Sequence, residues 1–542
     1  MTAKPAAALP LITVDSWDEL FEQRGLYQLE PILPQFITAR RWFRSKARAI
    51  QCIAIEDAIP FGEADACILV LRIQYADQGR DHYLLPIAAA ERADSDELLA
   101  TANGPDGSQR VIHGALSNPN FRDALLSAIL HEETRAGRDG DLLAIRTSAL
   151  RDDAAAQSLE SFVSRAEQSN TSIVYRDRYI LKLFRQIEPG INPDVEIGTF
   201  LTEHRFEHTP AALGTWTYRA KGGDAVVEYA AAILQEFVPN QGDAWKYALE
   251  SLSKFFARAL ARETEEVPAQ HPLKLMNQRM PEPARYLIGN FLDSARLLGK
   301  RTAQMHAVLS QSDTPDFAPE PFTQEDAEKL DQEMLGQADI TFELLRRKPV
   351  VSGDEIANGV HQLLQSEHRV TERFAALRGR RFDAVRIRYH GDYHLGQVLY
   401  TGSDFKIIDF EGEPARPLAQ RRTKTLAMRD VAGMIRSFQY AAFAALFGQV
   451  AGVPAGAEYA AAVESWAAYW TAWVSAAYLK GYFDEAGDRL FVPRDSEQRK
   501  ILFDAFLLQK ALYEVAYELN NRPDWLRIPL RGILTLVSAS AS

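Results

Sequence analysis

Apolar residues recur at helical spacing from Trp17 to Phe36, and the basic aromatic stretch Arg40-Arg41-Trp42-Phe43-Arg44 closes that segment. Three runs with strand character follow, Ile50 to Ile59, Ala66 to Tyr75 and His82 to Ile87, separated by the turn residues Phe61-Gly62 and Asp77-Gln78-Gly79. The polar stretch Ser95 to Gln109 reads as a loop and Pro119 to Glu133 as a helix. From Ser161 the pattern becomes a compact β unit. It contains Phe162 to Glu167, a polar turn Gln168-Ser169-Asn170-Thr171-Ser172, Ile173 to Tyr175, a turn at Arg176-Asp177, and Arg178 to Arg185. Asn192-Pro193-Asp194 starts a helix, and Ala230 to Val238 is a further apolar strand ended by Pro239. Beyond Gly242 helical periodicity dominates, apart from a strand-like pair at Ala384 to Tyr389 and Phe405 to Phe410. The pattern predicts an α+β cap over residues 1–135, an intermediate segment and β-rich lobe over 136–240, and a mostly helical lobe over 241–542.

Composition narrows the class. With 542 residues, 46% apolar and 25% charged, the chain is globular and long enough for about three domains. The balance of 61 basic against 73 acidic residues, a net charge of −12, argues against sequence-independent nucleic-acid binding, because no broad basic face is available to displace counterions. The two cysteines, Cys52 and Cys67, lie in apolar strand-like runs and are expected to be reduced core residues of a cytoplasmic protein. Asp15, Asp18 and Glu19 interrupt the start before any signal-peptide pattern develops. The longest uncharged stretch, Ser437 to Ala457, contains Gln439, Gly448, Gln449, Gly452 and Pro454, and so reads as packed helices with a break and not a membrane span.

Candidate chemistry concentrates in His390-Gly391-Asp392-Tyr393-His394-Leu395-Gly396-Gln397, followed by Lys406-Ile407-Ile408-Asp409-Phe410-Glu411-Gly412. A carboxylate, an amide five residues on and a second carboxylate after the next strand supply what phosphoryl transfer from ATP needs. Asp392 is the candidate base for a substrate hydroxyl, and Gln397 and Asp409 offer the hard oxygens that Mg2+ prefers. Lys182 sits alone inside the apolar run Tyr179-Ile180-Leu181-Lys182-Leu183-Phe184, which suits a phosphate contact, with Glu196 on the next helix as its partner. Ser169, Asn170, Thr171 and Ser172 would form a turn over the phosphates, using hydroxyls and backbone N–H groups.

Each part has a plainer alternative. The two histidines with Asp392 could ligate zinc or iron, although no second ligand motif accompanies them. Lys182 could be a snorkelling edge residue, Glu196 a partner of the helix dipole, and Glu411 and Glu413 members of a solvated loop. Only their combination favours the kinase reading.

These motifs resemble the catalytic and metal motifs of aminoglycoside phosphotransferase-like kinases. More narrowly, Gln168 to Ser172, Leu181 to Arg185, Asn192 to Glu196, Asp430 to Met434, Lys510 to Trp525 and the Arg41-Trp42-Phe43 and Lys46-Ala47-Arg48 stretches resemble the maltokinase branch over nearly the whole chain. The resemblance implies a bilobal protein-kinase-like fold with an added N-terminal cap. It also implies nucleotide between the lobes, with Gln235-Glu236-Phe237-Val238 beside the adenine, and transfer of the γ-phosphate of ATP to the anomeric hydroxyl of maltose. The product, maltose 1-phosphate, would feed trehalose and α-glucan metabolism. Two departures matter: the metal-binding amide is Gln397 where most of the superfamily has Asn, and Asp409-Phe410-Glu411 lacks the glycine of an activation-loop switch.

Lys510, Tyr513 and Tyr517 fall at i, i+3 and i+7 of one helix face, with Asn520 and Asn521 nearby. Aromatic rings with a cation suit the apolar faces and hydroxyls of a sugar, though such a stripe is also what a core looks like. The resemblance favours binding there, with His390 and His394 as further sugar contacts. The stripe Trp466, Trp470 and Trp473 reads as core. Open alternatives are another sugar or aminosugar such as glucosamine, and a weakly catalytic module that partners a trehalose synthase, from which the abrupt start at Leu9 to Leu11 would be severed. The oligomeric state is not legible in the sequence.

Overall fold

The computed structural model describes residues 9–93, 96–151, 159–164, 169–222, 225–348, 354–454 and 457–538. Gln168, Ser95 and the second half of the run expected as strand from Phe162 to Glu167, residues 165–167, lie outside the described residues. The chain forms two units, Met1–Pro239 and Asn240–Ser542. Its architecture is the bilobal α+β kinase-like fold that the motifs implied.

The first unit is built on two seven-stranded sheets. In one, the strands run Leu11–Thr13, Leu98–Asn103, Gln109–Gly114, Arg80–Ala90, Ala66–Tyr75 and Ile50–Phe61, and Gln186–Ile187 joins beside Arg80–Ala90. Only the first pair is parallel. Burial of both faces explains why Ala66–Tyr75 is apolar apart from Arg72 and Gln74 near its end. Ile68 and Val70 face a core shared with the Pro119–Leu130 helix and the second sheet, whereas Leu69, Leu71 and Ile73 face a core with Leu26, Leu33 and Phe36 of the N-terminal helices. The second sheet is antiparallel, in the order Thr134–Ala136, Gly140–Arg146, Ala212–Gly222, Ala225–Glu236, Tyr179–Leu183, Thr171–Tyr175, Ser161–Val163.

Several local expectations change. The helical stretch from Trp17 to Phe36 is broken into a short 3-10 turn at Asp18–Phe21 and α-helices at Gln23–Leu29 and Leu33–Thr38, the last two separated because Pro31 cannot continue a helix. The expected loop from Ser95 to Gln109 contains the strand Leu98–Asn103, whose small residues Ala100 and Ala102 carry little strand signal until they pair with Gln109–Gly114. Gly140–Arg146 and Ala212–Gly222 were not singled out by pattern. Cys67 is buried but Cys52 is exposed, and both are free thiols, so only one of the pair is a core residue.

The second unit is mainly helical. The helices Phe291–Leu309 and Ala457–Ala486 approach so closely that a Cβ on Gly299 would stand 2.0 Å from the Tyr478 carbonyl oxygen, and one on Gly481 would stand 1.9 Å from that of Arg296. Trp466, Trp470 and Trp473 are buried, as their stripe suggested. The two strand-like runs do not pair with each other. Val385–Arg386 pairs with Glu320–Pro321, and Phe405–Ile407 pairs with Val398–Tyr400 as a hairpin. Among the described residues no helix is long and apolar enough to cross a membrane.

Candidate active site

In the first unit Lys182 lies in the inner strand Tyr179–Leu183, opposite Ser172 on one side and Ile233 on the other. Its ammonium is 3.0 Å from Asp194 Oδ2. Asp194 is fully buried at the start of the Pro193–Glu203 helix, where the Asn192 side chain accepts from its N–H at 2.8 Å. Asn-Pro-Asp is therefore an N-cap, a proline in the first turn and an acid on the positive end of the helix dipole. The sequence reading missed Asp194 as a partner of Lys182; Glu196, which it chose, is half-buried two residues further along the same helix. The expected phosphate turn is also shorter. Ser169 and Asn170 form a bend, but Thr171 and Ser172 already belong to the strand Thr171–Tyr175, and Thr171 Oγ1 accepts from Arg185 Nε at 2.8 Å. Burial lowers the Arg185 guanidinium to about 10. At the far end of the sheet Gln235 pairs with Ile180 and Glu236 with Tyr179, Glu236 is exposed, and Val238 is buried.

In the second unit the loop around Asp392 is anchored from beneath. The buried Asp430, on the Met428–Phe443 helix, accepts from the His390 backbone N–H at 2.7 Å, the Gly391 N–H at 3.0 Å and His306 Nε2 at 3.1 Å. Burial alone would push this carboxyl up, but His306 and the loop hold it below its usual range. Gly433 lets the helix reach the loop, since a Cβ there would stand 2.8 Å from the Tyr393 carbonyl oxygen. The positive φ of Gly391, +90°, brings its backbone against Gly412, where a Cβ would meet the Gly412 Cα at 3.0 Å.

His390 is a correction. Its ring is buried, hydrogen-bonded to the Ile408 carbonyl at 2.9 Å and packed against Tyr393 and Phe410, so it joins the loop to the next strand and does not reach the cavity. His394 Nδ1 accepts from the Gly396 N–H at 3.0 Å, and its Nε2 lies 3.9 Å from Asp392 Oδ2. Gln397 Nε2 donates to Asp409 Oδ2 at 2.8 Å, so the hairpin brings together the amide and carboxylate that the spacing singled out. Asp409 itself has φ +65°, a left-handed conformation that Asp tolerates better than most residues.

Beside Asp392 opens a cavity of about 660 Å³. Two helices wall it. Ser496–Asn521 contributes Phe506, Gln509, Lys510 and Tyr513, and Gln324–Arg347 contributes Gln332, Gly336, Gln337 and Ile340. Lys510 Nζ lies 3.4 Å from Asp392 Oδ1 and 3.5 Å from Glu413 Oε1. Arg416 joins Glu413 and Glu333, each at 2.7 Å. Burial opposes the charge on Lys510, but Asp392, Glu413 and Glu514 outweigh it and raise its pKa. Burial likewise pushes Glu413 up, whereas Lys510, Arg429 and Arg416 more than offset this and hold it below its usual value.

Glu413 is thus a wall residue, and Glu411 is buried too, where a solvated loop was expected. Tyr517 is 46% exposed and does not line the cavity, although its ring stacks on Tyr513 with centroids 6.5 Å apart. Asn520 is exposed and accepts from Lys348 at 2.7 Å, while Asn521 bonds back to its own helix. The amide-bearing wall on Gln324–Arg347 had no signal in the sequence beyond an amphipathic helix.

Residues 36–117 match the model of the maltokinase N-terminal cap domain. Two glucosamine kinases are similar in sequence. That of Mycolicibacterium smegmatis (strain ATCC 700084 / mc(2)155) is 22% identical over 69% of this chain and 79% of its own length, and that of Streptacidiphilus jiangxiensis is 23% identical over 67% and 70%. Among solved structures, a glucosamine kinase in complex with glucosamine, ADP and inorganic phosphate superposes with a TM-score of 0.58 at 19% identity, covering 93% of this chain and 98% of that one. A second crystal form of a glucosamine kinase gives 0.60 at 18% identity, covering 93% and 99%. The cap-domain match, the curated relatives and the fold fit one family, that of the maltokinase and aminoglycoside phosphotransferase-like kinases.

Proposed function

We propose that the protein is an ATP-dependent sugar kinase that phosphorylates the anomeric hydroxyl of maltose. The observation that carries this reading is the cavity beside Asp392, in which an aromatic ring, Tyr513, and four glutamine amides, Gln332, Gln337, Gln420 and Gln509, accompany the candidate base. Amides both donate and accept, and therefore match a belt of sugar hydroxyls, while the ring covers an apolar C–H face. Asp392 accepts the proton of the attacking hydroxyl, and Lys510 holds that carboxylate in place from 3.4 Å. Lys182 in the first unit contacts the phosphates of the nucleotide, and Asp194 holds its ammonium in the sheet. Gln397 and Asp409 offer hard oxygen donors that fit Mg2+, whose bound charge would offset that of the transferring phosphoryl group.

A second reading, phosphorylation of glucosamine, is favoured by the two glucosamine kinases similar over two thirds of the chain. ADP release with ATP and Mg2+ across maltose, glucose, trehalose, maltotriose and glucosamine, with phosphorus NMR of the product, separates the two. Maltose-dependent release with phosphate on the anomeric carbon is the expected result. Turnover confined to glucosamine would replace the acceptor and keep the roles of Asp392 and Lys182. Association with a trehalose synthase is tested by size-exclusion chromatography of the mixture.

A further inference from the structure

Sharing no wall residue with the cavity at Asp392, another cavity of about 460 Å³ lies in the second unit. It opens where the Phe291–Leu309 and Ala457–Ala486 helices meet the Pro272–Leu275 and Glu282–Ile288 segments. Four cations line it, Arg279, Arg285, Arg296 and Lys480, against one carboxylate, Asp293. Arg296 and Lys480 share Asp484 as a partner, at 3.0 and 2.5 Å. Arg279 and Arg285 have no carboxylate partner among the described residues, and both are exposed.

Such a concentration of positive charge stands out on a chain of net charge −12. Met276, Trp473 and Ala477 give the same cavity an apolar floor. Guanidinium forks over an apolar floor recognise a phosphate ester, since the forks match phosphate oxygens bidentately and the floor accepts the organic part.

The position of the cavity gives its occupancy a route to the reaction. The Phe291–Leu309 helix, which presents Arg296 to the cavity, also carries Thr302, hydrogen-bonded to the Tyr393 hydroxyl at 2.9 Å, and His306, hydrogen-bonded to Asp430 at 3.1 Å. Tyr393 follows Asp392, and Asp430 anchors the loop. We propose that this basic cavity is an effector site for a small phosphate ester, and that binding there stiffens the loop carrying Asp392 through the Phe291–Leu309 helix.

The test is calorimetry of the full chain, without nucleotide or sugar, titrated with inorganic pyrophosphate and with glucose 6-phosphate. Saturable binding that weakens at least tenfold in Arg279→Ala/Arg285→Ala is expected for at least one probe. Tighter glucose 6-phosphate than pyrophosphate would mark a sugar phosphate as the ligand, and the reverse a polyphosphate. Absence of saturable binding, or binding that the double variant leaves unchanged because it occurs at Lys182 or in the cavity at Asp392, would overturn the proposal. Hydrogen exchange of the peptide spanning 389–397 is read in the same samples. Slower exchange on binding, absent in the double variant, is expected, and unaltered exchange at saturation would overturn the coupling. Neither readout requires turnover, so a wrong sugar assignment does not affect them.

Discussion

Lys182 in the first unit and Lys510 in the second are each paired with an acid, yet they stand in different surroundings. The side chains of Lys182 and Asp194 are 8% and 1% exposed, inside a sheet whose neighbouring strand residues are Leu181 and Leu183. Those of Lys510 and Asp392 are each more than a fifth exposed, on the wall of an open cavity, where Glu413, Arg416 and Glu333 extend the chain of charges. A buried pair has little water to fall back on, so each member is a condition for the other. The charges in the cavity share several partners and keep access to solvent and ligand, so losing one is felt first in binding and chemistry.

Four experiments sharpen or break that contrast. The largest effect is expected for Asp392→Asn, which should lower kcat by about 10²- to 10⁴-fold, the usual contribution of a general base, with the melting temperature almost unchanged. Activity near that of the wild type would remove Asp392 from its role. Asp194→Ala should cost about 3–5 kcal/mol in denaturant unfolding, because it removes a carboxylate 3.0 Å from a buried ammonium. Lys510→Met should cost well under half of that, and equal losses for the two variants would erase the distinction drawn here.

Next in size is Gly433→Ala, where the new methyl would stand 2.8 Å from the Tyr393 carbonyl oxygen. Overpacking of about 1–3 kcal/mol is expected, with activity falling alongside stability because the displaced residue adjoins Asp392. A Gly433→Ala protein as stable and active as the wild type would show that the helix can retreat from the loop freely. The smallest effect is pH-dependent. Glu413 is held below its ordinary value of 4.5, so its share of stability is complete above pH 4.5 and is lost as pH falls through its folded-state value. Glu413→Gln should lower stability at pH 7 and flatten the profile over that acidic window, as followed by urea unfolding. An unaltered acid profile would mean that Lys510 and Arg416 do not favour the charged form of Glu413.

What could be read in advance followed the range over which each feature is decided. Gln397 and Asp409 were legible because a short hairpin, Val398–Tyr400 with Phe405–Ile407, joins them within a few residues. Lys182 stood out because a charge inside an apolar strand demands a partner, but that Asp194 stands 3.0 Å from it depends on how the Pro193–Glu203 helix docks. His390 looked like a site residue because it lies two positions from Asp392. Its orientation toward Ile408 is set by the Phe405–Ile407 strand and by Asp430, 40 residues further along the chain. Tyr517 shares a helix face with Lys510 and Tyr513, but helical spacing does not say where the cavity ends.

By itself, the sequence determined the local grammar: the N-cap at Asn192, the glycines at Gly391 and Gly412, the mainly apolar strand from Ala66 to Tyr75, and the candidate block from His390 to Gly412. These follow from backbone sterics and side-chain period, which act over a few residues. Only the tertiary structure decided which wall faces Asp392, with Gln332 and Gln337 brought from one helix and Gln509 and Lys510 from another more than 150 residues away. It also decided that Glu413 is a wall residue and that Arg279 and Arg285 gather in a second cavity. Such choices depend on long-range packing and on the pairing of buried charge, for which a single chain read in order contains no local signal.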